Sequence, residues 1–539
     1  MTKKEQKQYL ISKLSTLNVD QRQLFDEMQR NTKLTLSVPT GFGKGYLMMV
    51  DLLNQIISTK NDIFAISSHR LMLNNQHLND IFKVLSPLLG DIGFIFVGSI
   101  KYDSAKFLDN VEYNKALLKK KTSYIEIISS TTSMSEVDAE VERHINAGRK
   151  VVLLTTYHSM HALKHLDIST IYNDEAHTLA SEEEETKFKD NFSTIRTKRC
   201  LFLTATPKDC YDEETSAFLM NNKDIFGERV GLTFRQAVDS GYVVRPVIHI
   251  ATPSNYAIDV DFNSTKNRVI FVQECFLAHK TFIETHSIDA SKIAPKILVK
   301  CSSVDDMWAL YKDLVGKIDG VKICAGASRN DNSNSNHFID NVEIRNRNEY
   351  LQSIQGFEDT QMAIVLHYDI LSEGINVSGF TGTMFLTGKL PTITKTLQNT
   401  GRSTRLHSID RDKIMSGEIS ASDYSTWVKP YCAVIIPYWD SQSEFTKVEL
   451  AKQIKSLRDN FGYDPVYYVS IGSDIASGKK PEDMDGLNKK KVKDRKTEII
   501  DEITHEIELM DKEEIDLKEM NRIDNMSMEE WFNFANGIK

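Results

Sequence analysis

Two short stretches carry residue types at spacings suited to phosphate chemistry. In "PTGFGK", residues 39–44, Gly41 and Gly43 let the backbone turn beside Thr40 so that successive N–H groups point inward at phosphate oxygens, and Lys44 adds a charge for the outer phosphates. "LTLSV" precedes this loop as a strand, and "YLMMVDLLNQII" follows as a helix whose N-terminus favours an anion. In "IYNDEAHTLA", residues 171–180, Asp174 and Glu175 end an apolar strand, where a parallel sheet opens toward a ligand crevice. There Asp174 would hold Mg²⁺ through water, and Glu175 would orient and deprotonate an attacking water. The loop departs from the usual pattern at Val38, in place of a small residue, and at Gly45, in place of the Ser or Thr whose hydroxyl binds Mg²⁺. Mg²⁺ requires six oxygens, and the space left by Gly45 admits a water as the sixth. Against this, glycine weakens a helix start by up to about 1 kcal/mol relative to alanine.

The elements that must position these residues follow from hydrophobic pattern. Short β-rich runs, "LTLSV", "DIFAISS", "IGFIFV", "KVVLLTT", "ISTIYND" and "CLFLTATP", alternate with stretches of helical period. A second series, "PVIHIAT", "PKILVKCS", "GVKICAG", "QMAIVLHYD", "GTMFLTG" and "YCAVIIPY", does the same from about residue 246. The pattern predicts an α/β chain of two tandem units, each a parallel sheet with crossover helices. The expected boundaries are a lead over 1–15, a first unit over 16–212, a connector over 213–245, a second unit over 246–445 and a charged, mainly helical region over 446–539. Residues 101–149 are polar, mostly of helical period, and are expected as an insertion in the first unit; "RNDNSNSNH" at 329–337 is an Asn/Ser loop in the second. No strand is expected after about 445, and "KTEIIDEITHEIELM" places Ile and Leu at helical spacing.

With 539 residues, 41% hydrophobic and 26% charged, the composition is that of a folded multidomain protein and excludes a disordered chain. Six Cys without a CxxC pair point to neither a disulfide framework nor a zinc ribbon. The net charge of −9 neither requires nor excludes a polyanion partner, because a basic groove can coexist with an acidic total. No apolar run is long enough to span a bilayer, and the N-terminus lacks a signal-peptide pattern, so a soluble, unexported cytoplasmic protein is expected, with no membrane partner.

Further motifs in this order make the chain resemble a superfamily-two DEAD/DEAH-box-type helicase or translocase, of the restriction-helicase and phage helicase branch. "GxGK" leads to "DEAH" at 174–177, "TAT" at 204–206, "LSEGINV" at 371–377 and "QNTGRSTR" at 398–405. The resemblance spans about residues 16–445 and implies two RecA-like domains that use ATP with Mg²⁺. It implies that His177 lies at the nucleotide, that Thr204 and Thr206 link the nucleotide site to the nucleic-acid site, and that Arg405 is the arginine finger with Arg402 beside it on phosphate. Phosphoryl transfer spreads charge that a guanidinium meets with bidentate donors. Gln398 would sense closure of the site. Gln21 would read the adenine edge, although Asp20 replaces the usual aromatic residue before it. Gly374 and Asn376 would approach the ribose, with Asn where the family has Asp.

For nucleic acid, "SSHRLMLNNQ" and "TTYHS" resemble the family's strand-contacting motifs. Ser68, Arg70, Thr155 and Thr156 of the first unit, with Ser302 and Ser372 of the second, would contact phosphate oxygens, which positions a strand without reading its sequence. "FGERVGLTFRQAVDSGYVVRP" resembles the branch connector and favours DNA, while RNA stays open because such contacts do not choose the sugar. The charged tail is expected to offer a surface for a protein partner, while "KKKVKDRK" within it reads as a solvated helix face ahead of a nucleic-acid contact. A second class of function stays open: a non-hydrolysing, nucleotide-gated nucleic-acid clamp, for which Gly45 and Asn376 speak. His158, His161 and His165 share a helical spacing that suits a surface or core role better than a metal site.

Overall fold

The apolar runs become strands because each is buried on both faces by helices, which removes the polar alternation of a half-exposed sheet. The computed structural model describes residues 2–512 except 61, 70, 99–127, 132, 181–193, 208–218, 253–263, 328–336, 346, 369–378, 387–399, 438–447, 449, 453, 456–457, 460–466 and 472–496. The chain divides into two units, Met1–Ala237 and Val238–Lys539.

In the first unit the strands are β1 (Lys33–Ser37), β2 (Ile63–Ser68), β3 (Ile92–Val97), β4 (Ile128–Thr131), β5 (Lys150–Thr156), β6 (Asp167–Asp174), β7 (Arg196–Thr204) and β8 (Glu228–Gly231). They form one sheet of order β4-β3-β5-β2-β6-β7-β1-β8, parallel throughout. Helices α1 (Lys3–Leu14) and α2 (Val19–Arg30) precede β1, α3 (Lys44–Ser58) follows it, and α4 (Leu71–Leu85) follows β2. Helix α3 buries every residue from Leu47 to Leu53. Its one carboxylate there, Asp51, pairs with Arg199 of β7 at 2.6 Å and accepts from Tyr172 Oη of β6 at 2.6 Å and Gln29 Nε2 of α2 at 2.5 Å. Arg199 also donates to the Met28 carbonyl, so one buried network ties α2, α3, β6 and β7 together. The expectation of a helical insertion over 101–149 is corrected in its second half: Ile128–Thr131 pairs with β3 and the helix Met134–Asn146 packs on the sheet.

The second unit has β9 (Arg245–Thr252), β10 (Lys296–Cys301), β11 (Lys322–Ala327), β12 (His337–Ile339), β13 (Val342–Ile344), β14 (Ala363–Tyr368), β15 (Gly382–Leu386), β16 (Tyr431–Pro437) and β17 (Tyr467–Ile471). Their order is β13-β12-β11-β14-β10-β15-β16-β9-β17, parallel except for the β11-β12-β13 meander at one edge. Strand β17 corrects the expectation that strands stop after 445, since it pairs parallel with β9 at the other edge. The expected tail helix is present over residues 497–512. Ile499, Ile503 and Ile507, one turn apart, are its buried stripe, and Asp511 pairs with Arg458 at 2.7 Å. Among the described residues no helix is long and apolar enough to cross a membrane.

Candidate active site

The sheet order of the first unit puts the C-terminal ends of β2, β6, β7 and β1 side by side. Ser68 pairs with Asp174, Asp174 with Leu203, and Thr204 with Ser37, so four separate sequence motifs reach one sheet edge. From β1 the chain enters the glycine loop. Gly41 and Gly43 both hold φ +98°, a left-handed conformation open to glycine at little cost, and Gly43 is the N-cap of α3 without a side-chain cap. A Cβ at Gly43 would also come within 2.7 Å of Gln21 Nε2. Gln21 itself is buried, forms a capping box with Asn18 and donates to the Phe42 carbonyl at 2.9 Å, fastening α2 to the loop. Thr40 lies half-buried in the turn.

Lys44 lies between the two acids, 2.8 Å from Asp174 Oδ1 and 3.0 Å from Glu175 Oε1. Burial on its own would favour the neutral amine, but the two carboxylates outweigh it and raise the Lys44 pKa above its usual value. Burial would likewise raise Asp174; Lys44 and His77 more than reverse this and hold the carboxyl well below the usual carboxylate range. His77 Nε2, from α4, lies 3.3 Å from Asp174 Oδ2, and Tyr157 Oη donates to the Asp174 carbonyl at 2.6 Å. Glu175 is one of two non-glycine residues at positive φ, +54°, among the described residues. Such strain costs about 1–2 kcal/mol and turns its carboxylate out of the strand line toward Lys44. His177 Nδ1 is 3.0 Å from Thr204 Oγ1 and 3.5 Å from Glu175 Oε2, and Thr204 Oγ1 accepts from the Thr206 amide at 3.1 Å. An unbroken polar line thus runs from the loop lysine to the "TAT" turn.

The donor set fits a nucleotide phosphate with a divalent cation. Exposed amides at an uncapped helix start suit phosphate oxygens, and one ammonium against two carboxylates leaves negative charge for Mg²⁺. At Gly45 an added Cβ would meet nothing within 4 Å, so a side chain at this position finds open space.

The strand-contacting candidates find intramolecular partners. Ser68, Thr155 and Thr156 are buried at the ends of β2 and β5; Thr155 Oγ1 donates to the Val97 carbonyl at 3.3 Å and Thr156 Oγ1 to Ser159 Oγ at 3.2 Å. Ser302 is exposed, and its hydroxyl donates to Asp306 Oδ2 at 2.8 Å. In the second unit Arg402 is buried, while Arg405 is half-buried with its pKa lowered to about 10 by burial, which leaves it charged at neutral pH. Arg70, Ser372, Gly374, Asn376 and Gln398 lie outside the described residues. His158, His161 and His165 are exposed around a single 3₁₀ turn, Met160–Leu163, which lacks the helical face their spacing suggested. Sequence reasoning missed His77 and passed over Tyr157 inside "TTYHS"; neither touches the acids through a local motif.

Residues 18–213 match the family model described as DEAD/DEAH box helicase. Over 179 residues the chain is 26% identical to a protein named as a probable helicase from African swine fever virus, covering 32% of this chain and 19% of that one. A match to another isolate is 25% identical over 189 residues, covering 34% and 20%. The chain thus spans about a fifth of the viral relatives' length. Among solved structures, the Type ISP restriction-modification enzyme LlaBIII bound to DNA superposes with a TM-score of 0.57 at 14% identity, covering 85% of this chain and 31% of that one. Dbp5 of S. cerevisiae bound to RNA and ADP BeF3 gives 0.51 at 10% identity, covering 87% and 95%. These likenesses are of fold, two RecA-like domains in tandem. The glycine loop and the DEAH acids both fall inside the segment, residues 18–213, that matches the DEAD/DEAH box helicase model.

Proposed function

We infer that the protein is an ATP-dependent nucleic-acid helicase or translocase, acting on DNA in preference to RNA. The observation that carries this reading is Lys44 held between Asp174 and Glu175 at the head of α3, with His177 joined to Thr204. Phosphoryl transfer uses a lysine at the outer phosphates, an acid at the metal and a residue that orients the attacking water, and these three groups meet at one place here. When bound, Mg²⁺ neutralises phosphate charge. Thr40, Gly41, Gly43 and Gly45 supply backbone for the phosphates, Asp174 holds the metal's water, and Glu175 takes the proton of the attacking water. Gln21 limits the base that fits beside the loop, with Gly374, Asn376 and Gln398 serving sugar and closure. Arg402 and Arg405 supply guanidinium charge to the transferred phosphoryl group. Ser68, Arg70, Thr155, Thr156, Ser302 and Ser372 shape the path of the strand, whose contacts are sequence-independent.

The working boundaries are 16–212 and 246–445 around a connector at 213–245, with 446–539 as a surface for a further partner. The DNA preference rests on the connector sequence, since the fold is shared with a DNA-bound and an RNA-bound structure alike. A triplex-displacement assay on a DNA track tests motion: the third strand should leave only with ATP and Mg²⁺, and faster than from an RNA duplex. Nucleotide-dependent binding without displacement on either track would replace the motor by the clamp.

A further inference from the structure

Lys429 lies outside every motif, yet its ammonium is buried in the second unit against the turn that carries both arginines. Its Nζ donates to the Ser403 carbonyl at 2.6 Å and to the Arg405 carbonyl at 2.8 Å. The backbone amides of Lys429 and Val428 donate to Asp410 at 2.8 and 2.7 Å, and that carboxylate is fully buried. The same turn is held elsewhere by the Val244 amide on the Thr404 carbonyl at 2.6 Å and by His407 Nε2, 3.1 Å from Asp359 Oδ2. The geometry points to Lys429 as a positioning residue for phosphoryl transfer, its ammonium clamping the backbone from which Arg402 and Arg405 project. This role rests on the functional reading above.

A fold that needed only packing here would be served by an apolar side chain, since burying an ammonium is costly. What the charge adds is a strong donor to two carbonyls flanking the arginine side chains. Burial lowers the Lys429 pKa to about 8, with Cys432, Asp410 and Asp359 favouring the charged form and Arg405 opposing it. The charge on the clamp is therefore half lost at about pH 8 and gone well above it, leaving weaker neutral N–H donors to the two carbonyls. Between about pH 8 and the ordinary 10.5 the folded chain binds fewer protons than the unfolded chain, so this group's contribution to stability rises with pH in that window. A loss of turnover there is not a loss of fold at this site.

The test is nucleic-acid-stimulated ATP hydrolysis over roughly pH 7 to 9.5, the window that brackets the group's titration, for the unmodified chain, Lys429→Arg and Lys429→Met. The unmodified chain should lose kcat as pH rises through about 8. Lys429→Arg, which stays charged, should hold a flatter profile. Lys429→Met should show kcat lowered on the order of 10- to 100-fold at every pH, as a misplaced catalytic group does, with the KM for ATP and the melting temperature little changed. Unmodified kcat in Lys429→Met, or parallel pH profiles for the unmodified chain and Lys429→Arg, overturns the role while leaving the functional reading intact. If Lys429→Met melts early, the Lys429→Arg profile alone decides. No hydrolysis by the unmodified chain overturns the functional reading and this role together.

Discussion

At the scale of single residues, the site is defined by which charges lack an alternative. Lys44 is the ammonium that both acids share, and the acids are fixed from behind by His77, Tyr157 and His177. Gly45 is a departure with a direct consequence for the metal, and its open surroundings turn it into an experiment. Gly45→Thr meets no neighbour at its Cβ and supplies the hydroxyl the loop lacks. Its expected effect is a several-fold rise in ATP turnover at limiting Mg²⁺, on the scale of one metal ligand gained, and a smaller rise at saturating Mg²⁺. Equal Mg²⁺ dependence in the two proteins would show that water serves position 45 as well as a side chain does. The motif residues were legible in the sequence because each acts within a short local pattern: a glycine turn, an acid pair at a strand end. Lys429, His77 and Tyr157 were not, because each reaches its target across the fold from an element whose own pattern shows no chemistry.

At the scale of elements, the strands near the sheet centres were legible because burial on both faces writes a continuous apolar run into each one. The edges were not. Ile128–Thr131, "ISST", is short and polar, and Tyr467–Ile471, "YYVSI", mixes Tyr and Ser into its run, as edge strands do. Two contacts set how the elements hold the site. Asp51→Asn removes the carboxylate that Arg199 needs in a buried position, which should cost about 3–5 kcal/mol in urea unfolding of the first unit; a loss below about 1 kcal/mol would mean the network is not the tie between α2, α3 and the sheet. The tail helix depends on its isoleucine stripe more than on its part-exposed Arg458–Asp511 pair, because such pairs contribute about 1 kcal/mol or less. Ile503→Asp should therefore raise amide exchange across residues 497–512 while Asp511→Asn should not, and the reverse ranking would assign the docking to charge.

At the scale of the whole molecule, the chain is two mainly parallel sheets of the same general design, and among the described residues the first carries the loop-and-acid cluster. The second carries the arginine turn, braced by Lys429, Asp410 and His407. The family match ends at residue 213, while the likeness of fold to a tandem RecA-like structure covers 87% of the chain. The central claim is that these parts hydrolyse ATP in response to nucleic acid. Steady-state ATP hydrolysis by the unmodified chain and by Glu175→Gln, with and without single-stranded DNA, double-stranded DNA and RNA, tests it most directly. The account predicts turnover stimulated most by DNA and reduced at least about 100-fold in Glu175→Gln, the scale of a lost general base, with ATP still bound. Turnover that survives the substitution, or no turnover with any polymer, would contradict it.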